Sequence, residues 1–162
     1  PDPPPQGRSI RELFAGNALD GMYEYLNEMG QPYGIKFSAH DRLANSRKAI
    51  LLGEYIGLNT PEHEDAYHEA IFHAYFTEGQ NIGDEEVLSE VLRQIGLKPN
   101  IISAAFNDQQ SVDNMSKKAQ LAVTDGVTGT PTFLVGNTRI VGAQPYSKLF
   151  AAAQLAVASE TC

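Results

Sequence analysis

Apolar residues recur with the spacing of an α-helix over most of the chain as far as residue 126. The spacing predicts helices in seven segments: SIRELFAG, LDGMYEYLNEMG, AHDRLANSRKAILLGEYIG, NTPEHEDAYHEAIFHAYFTEG, GDEEVLSEVLRQIGLKP, NIISAAFND and SVDNMSKKAQLAVTDG. Local signals mark several ends. Ser9 and Glu12 form a capping box, Pro61 suits a first helical position, and Asp84 and Gly96 suit the start and the end of the fifth segment.

Two of these segments predict which residues are buried. In the long third segment, Leu43, Ile50 and Leu51 fall on one helical face, which indicates a buried stripe. The stretch AIFHAYF, at the end of the fourth segment, is apolar on nearly every side. A helix of that kind belongs in the interior, so we expect this stretch to lie at the centre of the core.

The hydrophobic period changes from about 3.6 to 2 only near the C-terminus. The sequence TFLV-GN-TRIV predicts a β-hairpin, with Gly136 in the first position of a two-residue type II′ turn. A last helix follows in QPYSKLFAAAQLAVASE, with Pro145 near its start. The expected organisation is therefore a block of helices, one hairpin and one helix. Two strands alone make a poor sheet.

Charge and composition exclude several classes of function. The 162 residues carry a net charge of −8, which argues against a nucleic-acid partner or an anionic membrane surface. His63 and His68 are five positions apart, whereas a helical zinc motif needs a spacing of four. Cys162 is the single cysteine. We therefore expect no membrane span, no metal site, no cofactor and no intramolecular disulfide.

The block GVTGTPTFLVGNTRIVGAQPYSKLF resembles the C-terminal end of DsbA-like thioredoxin-fold oxidoreductases. It is most similar to the FrnE-like subfamily, which has Gly-Val-x-Gly-x-Pro-x-Phe, a hairpin and Gly-Ala-Gln-Pro. KFSAHDRLANSRKAILLGEYIG and HEAIFHAYFTEGQNIGDEEVLSEVLRQIGL resemble the helical insertion of that subfamily. Kappa-class glutathione transferases and hydroxychromene-carboxylate isomerases share the architecture, but the GAQP ending fits FrnE-like proteins better.

The resemblance implies an α/β, thioredoxin-like fold with a large helical insertion. Residues 1–8 would be a linker, residues 9–126 the helical insertion domain, and residues 127–162 the C-terminal ββα part. The family begins with a strand, a Cys-x-x-Cys helix, a second strand and an Asn-Pro loop, and PDPPPQG resembles that loop. We therefore expect this chain to lack the N-terminal βαβ segment, and to be mostly helical with one hairpin.

The resemblance also implies where a substrate binds. In the family, the Pro before the corresponding strand forms a cis peptide bond beside the redox motif, which makes Thr130–Pro131 that bond. Gly129, Thr130 and Pro131 would contact the substrate. His40, in SAHDR, sits where the subfamily has a recurrent Ala-His step at a helix start. It would line the site or, alternatively, cap or pack the helix.

The implied function is that of the C-terminal portion of a thiol–disulfide oxidoreductase, or of a related thiol-dependent isomerase or transferase, in the cytoplasm. Its partner would be a protein thiol or disulfide, or a small thiol. No catalytic residue is expected in this chain, because Cys-x-x-Cys is absent from it. A non-catalytic peptide- or partner-binding module and a bare helical scaffold are the alternatives. The unpaired edge of the Thr132–Val141 hairpin predicts self-association.

Overall fold

The computed structural model describes residues 3–12 and 18–160, with side chains as far as residue 158. The chain divides into two compact units, Pro1–Met115 and Ser116–Cys162, and the division falls within a helix. The predicted domain boundary between residues 126 and 127 lies later in the chain and stays a prediction.

The described residues form seven α-helices and four β-strands. The helices are α1 (Ala18–Gly30), α2 (Arg47–Asn59), α3 (Glu64–Phe72), α4 (Glu85–Gln94), α5 (Ile101–Asn107), α6 (Gln109–Thr124) and α7 (Tyr146–Glu160). The strands are β1 (Arg8–Ser9), β2 (Arg42–Leu43), β3 (Thr132–Val135) and β4 (Thr138–Val141). Short 3-10 turns cover Ile10–Glu12, Gln31–Tyr33 and Pro61–His63, and a π-helix covers His73–Thr77.

The main core of the first unit lies among α2, α3, α4 and α5. Leu52, Ile56, Leu88 and Leu92 are fully buried there, and Tyr67 packs with them. Each helix turns one apolar face towards the others, which is the arrangement that removes the most apolar surface from water. A second, smaller cluster joins α1 to the 3-10 turn Ile10–Glu12 and is centred on three buried residues, Ile10, Leu19 and Tyr23.

The predicted long third helix is wrong at its start. Arg42 and Leu43 form β2, which pairs antiparallel with β1, and helix α2 begins only at Arg47. The side chain of Asn45 accepts a 3.0 Å hydrogen bond from the Arg47 N–H, which gives the helix its local start signal. Leu43 is in a strand and Ile50 is 50% exposed. Of the three residues predicted to form a buried helical face, only Leu51 is a buried helix residue.

The helix predicted from Ser9 is also corrected. Ser9 belongs to β1 and pairs with Arg42, and the Ile10 N–H donates to the Asp41 carbonyl at 2.6 Å. These long-range bonds take the backbone groups that a helix would use, and only a 3-10 turn follows. The Ser9 hydroxyl nevertheless accepts from the Arg11 N–H at 3.2 Å, as a cap would. Residues 13–16 of this predicted helix lie outside the described residues.

The predicted linker, residues 1–8, is held against the first unit where it is described. The Asn45 amide donates to the Pro3 carbonyl, and the Arg42 guanidinium donates to the Gln6 carbonyl, each at 2.6 Å. Arg8 is already part of β1. From Pro3 onwards the segment is therefore an ordered lead-in whose last residue is in a strand.

The stretch AIFHAYF is only partly central to the core. Ile71 and Ala74 are buried, but Phe72 is 59% exposed and Phe76 is also exposed. The helix packs on one side, so residues on its other side stay in water whatever their hydrophobicity. The α4 signals are confirmed, since the Asp84 carboxylate accepts from the Glu86 N–H at 3.0 Å and Gly96 adopts φ +82°.

The predicted hairpin is present in the second unit. Strands β3 and β4 pair antiparallel, with Val135 opposite Thr138 across the two-residue Gly136-Asn137 turn. Gly136 has φ +54°, and no non-glycine residue among those described has a positive φ. That combination fits a type II′ turn, which needs a positive φ only at its first central residue. The short β1–β2 ladder was not predicted.

Candidate functional site

The loop that precedes β3 begins at a glycine that ends helix α6. Gly126 has φ +70°, and its N–H donates to the Val123 carbonyl at 3.0 Å. The Val127 N–H reaches back to the Ala122 carbonyl at 2.9 Å. This double closure is a Schellman-type helix end, in which glycine accepts the left-handed conformation at little cost. The chain then leaves the helix in a fixed direction.

At its other end the loop is bonded to the hairpin. The Thr132 hydroxyl donates to the Gly129 carbonyl at 2.6 Å, and the Gly142 N–H donates to the Pro131 carbonyl at 2.8 Å. The peptide bond between Thr130 and Pro131 is cis. Gly129, Thr130 and Pro131 are all exposed, so their backbone is accessible to a ligand.

A third bond joins the start of the loop to β4. The Arg139 guanidinium donates from Nη1 to the Gly126 carbonyl at 2.7 Å. No local signal in the sequence points to this contact. Arg139 occupies an ordinary exposed strand position, and its partner is thirteen residues earlier. Only the closed hairpin brings the two together.

His40 lies in the first unit, in the segment that leads into β2 and not at a helix start. Its backbone carbonyl accepts a 2.7 Å hydrogen bond from the Tyr23 hydroxyl, and its ring lies edge-on to Tyr75 with 4.9 Å between the centroids. The Tyr75 hydroxyl in turn donates to the Arg42 carbonyl at 3.1 Å. The expectation that His40 begins a helix is wrong, because α2 starts seven positions later, at Arg47.

The environment of His40 disfavours a charge on its ring. Burial lowers the pKa of His40, and the polar backbone of Arg42 and the nearby Asp41 carboxylate oppose this effect without overcoming it. Its Nδ1 atom is buried and has no hydrogen-bond partner among the described residues. Burial likewise raises the pKa of Tyr23 and of Tyr75, so both phenols stay protonated. His40 is therefore part of a neutral aromatic cluster.

The predicted site residues fall into two groups. Gly129, Thr130 and Pro131 form one exposed stretch of the second unit, bonded at both ends, whereas His40 packs in the first unit. The roles of all four in substrate binding stay predictions. No group of three or more His, Cys, Asp and Glu side chains in the described ranges is arranged to hold a metal ion.

Comparison with known proteins decides the family. The sequence model of the DSBA-like thioredoxin domain matches residues 3–154. The chain belongs to that family. Its fold is the DsbA-like thioredoxin fold, here rich in helix, and the exposed Gly129–Pro131 stretch lies within the matched region.

The chain is also similar to individual proteins. The uncharacterized protein YwbO of Bacillus subtilis is 34% identical over 79 residues, which are 48% of this chain and 39% of YwbO. The match therefore spans well under half of that relative. A structure described as a probable DsbA oxidoreductase from Streptomyces coelicolor superposes with a TM-score of 0.75 at 22% identity, over 88% of this chain and 61% of that one.

A second solved structure extends the likeness in fold. A 2-hydroxychromene-2-carboxylate isomerase superposes with a TM-score of 0.71 at 21% identity, over 96% of this DSBA-like chain and 74% of the isomerase. At these identities the structures support the fold alone.

Among the helices that the structure describes, none combines the length and the apolarity needed to span a bilayer.

Proposed function

We propose that this DSBA-like chain is the substrate-binding portion of a thiol–disulfide oxidoreductase, with the Gly129–Pro131 stretch as the surface that meets the substrate. The family match, which includes this stretch, carries the proposal. The stretch is exposed, and it is bonded at both ends to the secondary structure beside it. A backbone held in that way can bond an extended peptide through the groups that Thr130 contributes, because these groups need not be ordered on binding.

The number of cysteines limits the thiol–disulfide chemistry that this chain can carry out. Thiol–disulfide exchange begins with attack of a thiolate on a disulfide sulfur, and a dithiol–disulfide cycle needs two cysteines. The sequence contains one, Cys162. The proposed role is therefore binding of a protein disulfide or a small disulfide without turnover. We include in the proposal the FrnE-like subfamily and a cytoplasmic location.

His40 is proposed as a second substrate-contacting residue, supported by its half-buried ring and its neutral aromatic surroundings. A neutral imidazole beside two phenols suits contact with an uncharged thiol or disulfide better than contact with an anion. The role is independent of the Gly129–Pro131 stretch and is tested separately.

Self-association through the β3 edge is also proposed. Val135 and Thr138 flank the two-residue turn, and the Gly142 N–H bonds the Pro131 carbonyl, so the alternate residues Thr132 and Leu134 turn their backbone groups away from β4. The structure describes no strand paired with that edge. A bare edge with exposed apolar side chains is a template for a second copy of β3.

The binding proposal is tested by titrating oxidised glutathione, a small peptide disulfide, into the isotope-labelled Cys162→Ser chain. We expect amide chemical-shift changes concentrated at Gly129, Thr130 and Thr132. A Gly129→Leu variant should lose binding, because a Cβ there meets no neighbouring atom within 4 Å and the side chain would stand in front of the stretch. Gly21→Leu is the matched control, since a Cβ there is equally unobstructed and the site is remote in sequence.

Two outcomes would contradict the binding proposal. One is the absence of shift changes at millimolar oxidised glutathione in a chain that remains folded. The other is equal affinity in the Gly129→Leu and Gly21→Leu variants, which would place the binding surface elsewhere.

A further inference from the structure

We infer that Arg139 is a positioning residue, whose guanidinium holds the loop of residues 126–131 in the conformation that binds the substrate. The inference rests on the proposed function of the Gly129–Pro131 stretch and adds to it the residue that fixes the stretch in place. Arg139 is on β4, opposite Leu134, and it acts on the loop through a single carbonyl group.

The carbonyl of Gly126 is the natural point of attachment. The N–H groups of Gly126 and Val127 are both used to close helix α6, on the carbonyls of Val123 and Ala122. The Gly126 carbonyl is the first one of the loop beyond that closure, and it accepts the Arg139 bond at 2.7 Å. A charged donor makes a stronger hydrogen bond than a neutral one, so this bond fixes where the loop begins.

The other end of the loop is fixed by the same hairpin. The Gly129 and Pro131 carbonyls accept bonds from Thr132 and Gly142. The three bonds that the loop carbonyls accept therefore all come from the hairpin or the residue that ends it. Between them, the N–H of Thr130 has no bonded partner in the described chain and belongs to an exposed residue, so we take it as the group that a ligand would meet.

Gly126 fits this arrangement for two separate reasons. Its φ of +70° is a conformation that other residues adopt at a cost. A Cβ at this position would also lie 2.5 Å from the Arg139 Nη1 atom, closer than real contacts allow. A side chain at position 126 would therefore require the end of the Arg139 side chain to shift. Glycine at this position leaves the space through which the guanidinium reaches the carbonyl.

The experiment compares Arg139→Met, which removes every donor but keeps the chain length, with Arg139→Lys, which keeps an ammonium donor. Arg139 and Lys148 both line a groove between β4 and α7. Lys148→Met is the matched control, because Lys148 bonds the Gln144 side chain, at 3.1 Å, and not the loop. All variants carry Cys162→Ser. Two quantities are measured: backbone ¹⁵N relaxation at Gly129 and Thr130, and the Kd for oxidised glutathione.

We expect Arg139→Met to increase fast motion at Gly129 and Thr130 and to raise the Kd about threefold to tenfold, the effect of a typical single hydrogen bond. Arg139→Lys should fall between Arg139→Met and the parent, and Lys148→Met should match the parent in both measurements. An unfolded Arg139→Met chain would show no dispersed amide spectrum, and Arg139→Lys then supplies the comparison.

The inference is overturned if relaxation at Gly129 and Thr130 is unchanged in Arg139→Met, or if relaxation changes while the Kd does not. A different result concerns the proposed function. If the parent chain binds no oxidised glutathione, then the proposed substrate-binding roles of the Gly129–Pro131 stretch and of Arg139 are both wrong. Relaxation then shows whether the bond to Gly126 orders the loop, so the two failures are distinguishable.

Discussion

The hydroxyl of Tyr67 donates a 2.8 Å hydrogen bond to the backbone carbonyl of Ala49, in a part of the first unit where Tyr67 is only 1% exposed. The bond joins helix α3 to the first turn of α2. A buried phenol needs such a partner, because an unsatisfied hydroxyl in the core costs free energy. Helices α2 and α3 are therefore held in one relative position by a polar contact inside an apolar core.

Replacing Tyr67 with Phe should lower the free energy of unfolding by about 1 kcal/mol, the net contribution of a typical hydrogen bond. The ring remains, so packing in the core is retained. Urea denaturation at pH 7 measures the change. Tyr25→Phe, at a position that is 59% exposed, is the matched control and should shift the midpoint very little. Equal midpoints for the two variants would contradict the role assigned to the Tyr67 bond.

Stability should decrease at alkaline pH. Burial raises the pKa of Tyr67 above the ordinary value of 10.0. In the unfolded chain the phenol ionises near pH 10, whereas in the folded chain it keeps its proton. The unfolded state therefore binds fewer protons above pH 10, and the free energy of unfolding falls as the pH rises from there towards the folded pKa. Urea midpoints at pH 8 to 11 test this, and Tyr67→Phe should show a shallower fall than the parent.

Stability should also decrease in weak acid, because burial lowers the pKa of His40 below its ordinary value of 6.5. Below pH 6.5 the unfolded chain takes up a proton on this residue that the folded chain does not. The free energy of unfolding therefore falls as the pH drops from 6.5 towards the folded pKa, and this contribution levels off below it. Midpoints at pH 7.5, 6.5 and 5.5 should show the fall, and His40→Gln should reduce it. Direct NMR titration of the His40 ring gives the same pKa independently, and a value at or above 6.5 would refute the prediction.

Self-association should depend on the edge of β3. A Leu134→Lys substitution places a charge on that edge without removing a β3–β4 hydrogen bond, and edge charges oppose strand pairing between molecules. We expect this variant to be monomeric by sedimentation velocity at concentrations where the parent chain associates. Val123→Lys is the matched control, since Val123 is an exposed apolar residue of α6, outside the edge, and should leave association unchanged. A monomeric parent chain would rule out the β3-edge contact altogether.

This 162-residue chain should have no dithiol oxidoreductase activity. With Cys162 as its single cysteine, it has no dithiol to cycle. Insulin reduction with dithiothreitol should proceed at the rate of the buffer control. Turnover above that control, persisting in Cys162→Ser, would show that redox chemistry does not need a Cys-x-x-Cys motif in this chain.

Some residues of the candidate site can be predicted from the sequence, and others cannot. Gly129, Thr130 and Pro131 can be identified from the GVTGTPTF motif, because a short continuous motif is recognisable whatever the fold of the rest of the chain. Arg139 could not be named, since its contact with Gly126 exists only after β4 has folded back along β3. The sequence also points to His40, but it predicts a helix start there, whereas helix α2 begins at Arg47.

The sequence by itself determined the elements whose signals are local. The Asp84 cap, the glycine after α6 and the change of period at Thr132 each act within a few residues, so they hold in the folded chain. Tertiary structure decided the elements that depend on distant partners. Arg42 lies in a stretch that the sequence pattern predicts to be helical, yet it pairs with Ser9 as a strand, because two chain segments brought together can exchange backbone hydrogen bonds that no local pattern reveals. Burial was decided in the same way: Phe72 and Ile71 are adjacent and equally apolar, and packing against the other helices buries only Ile71.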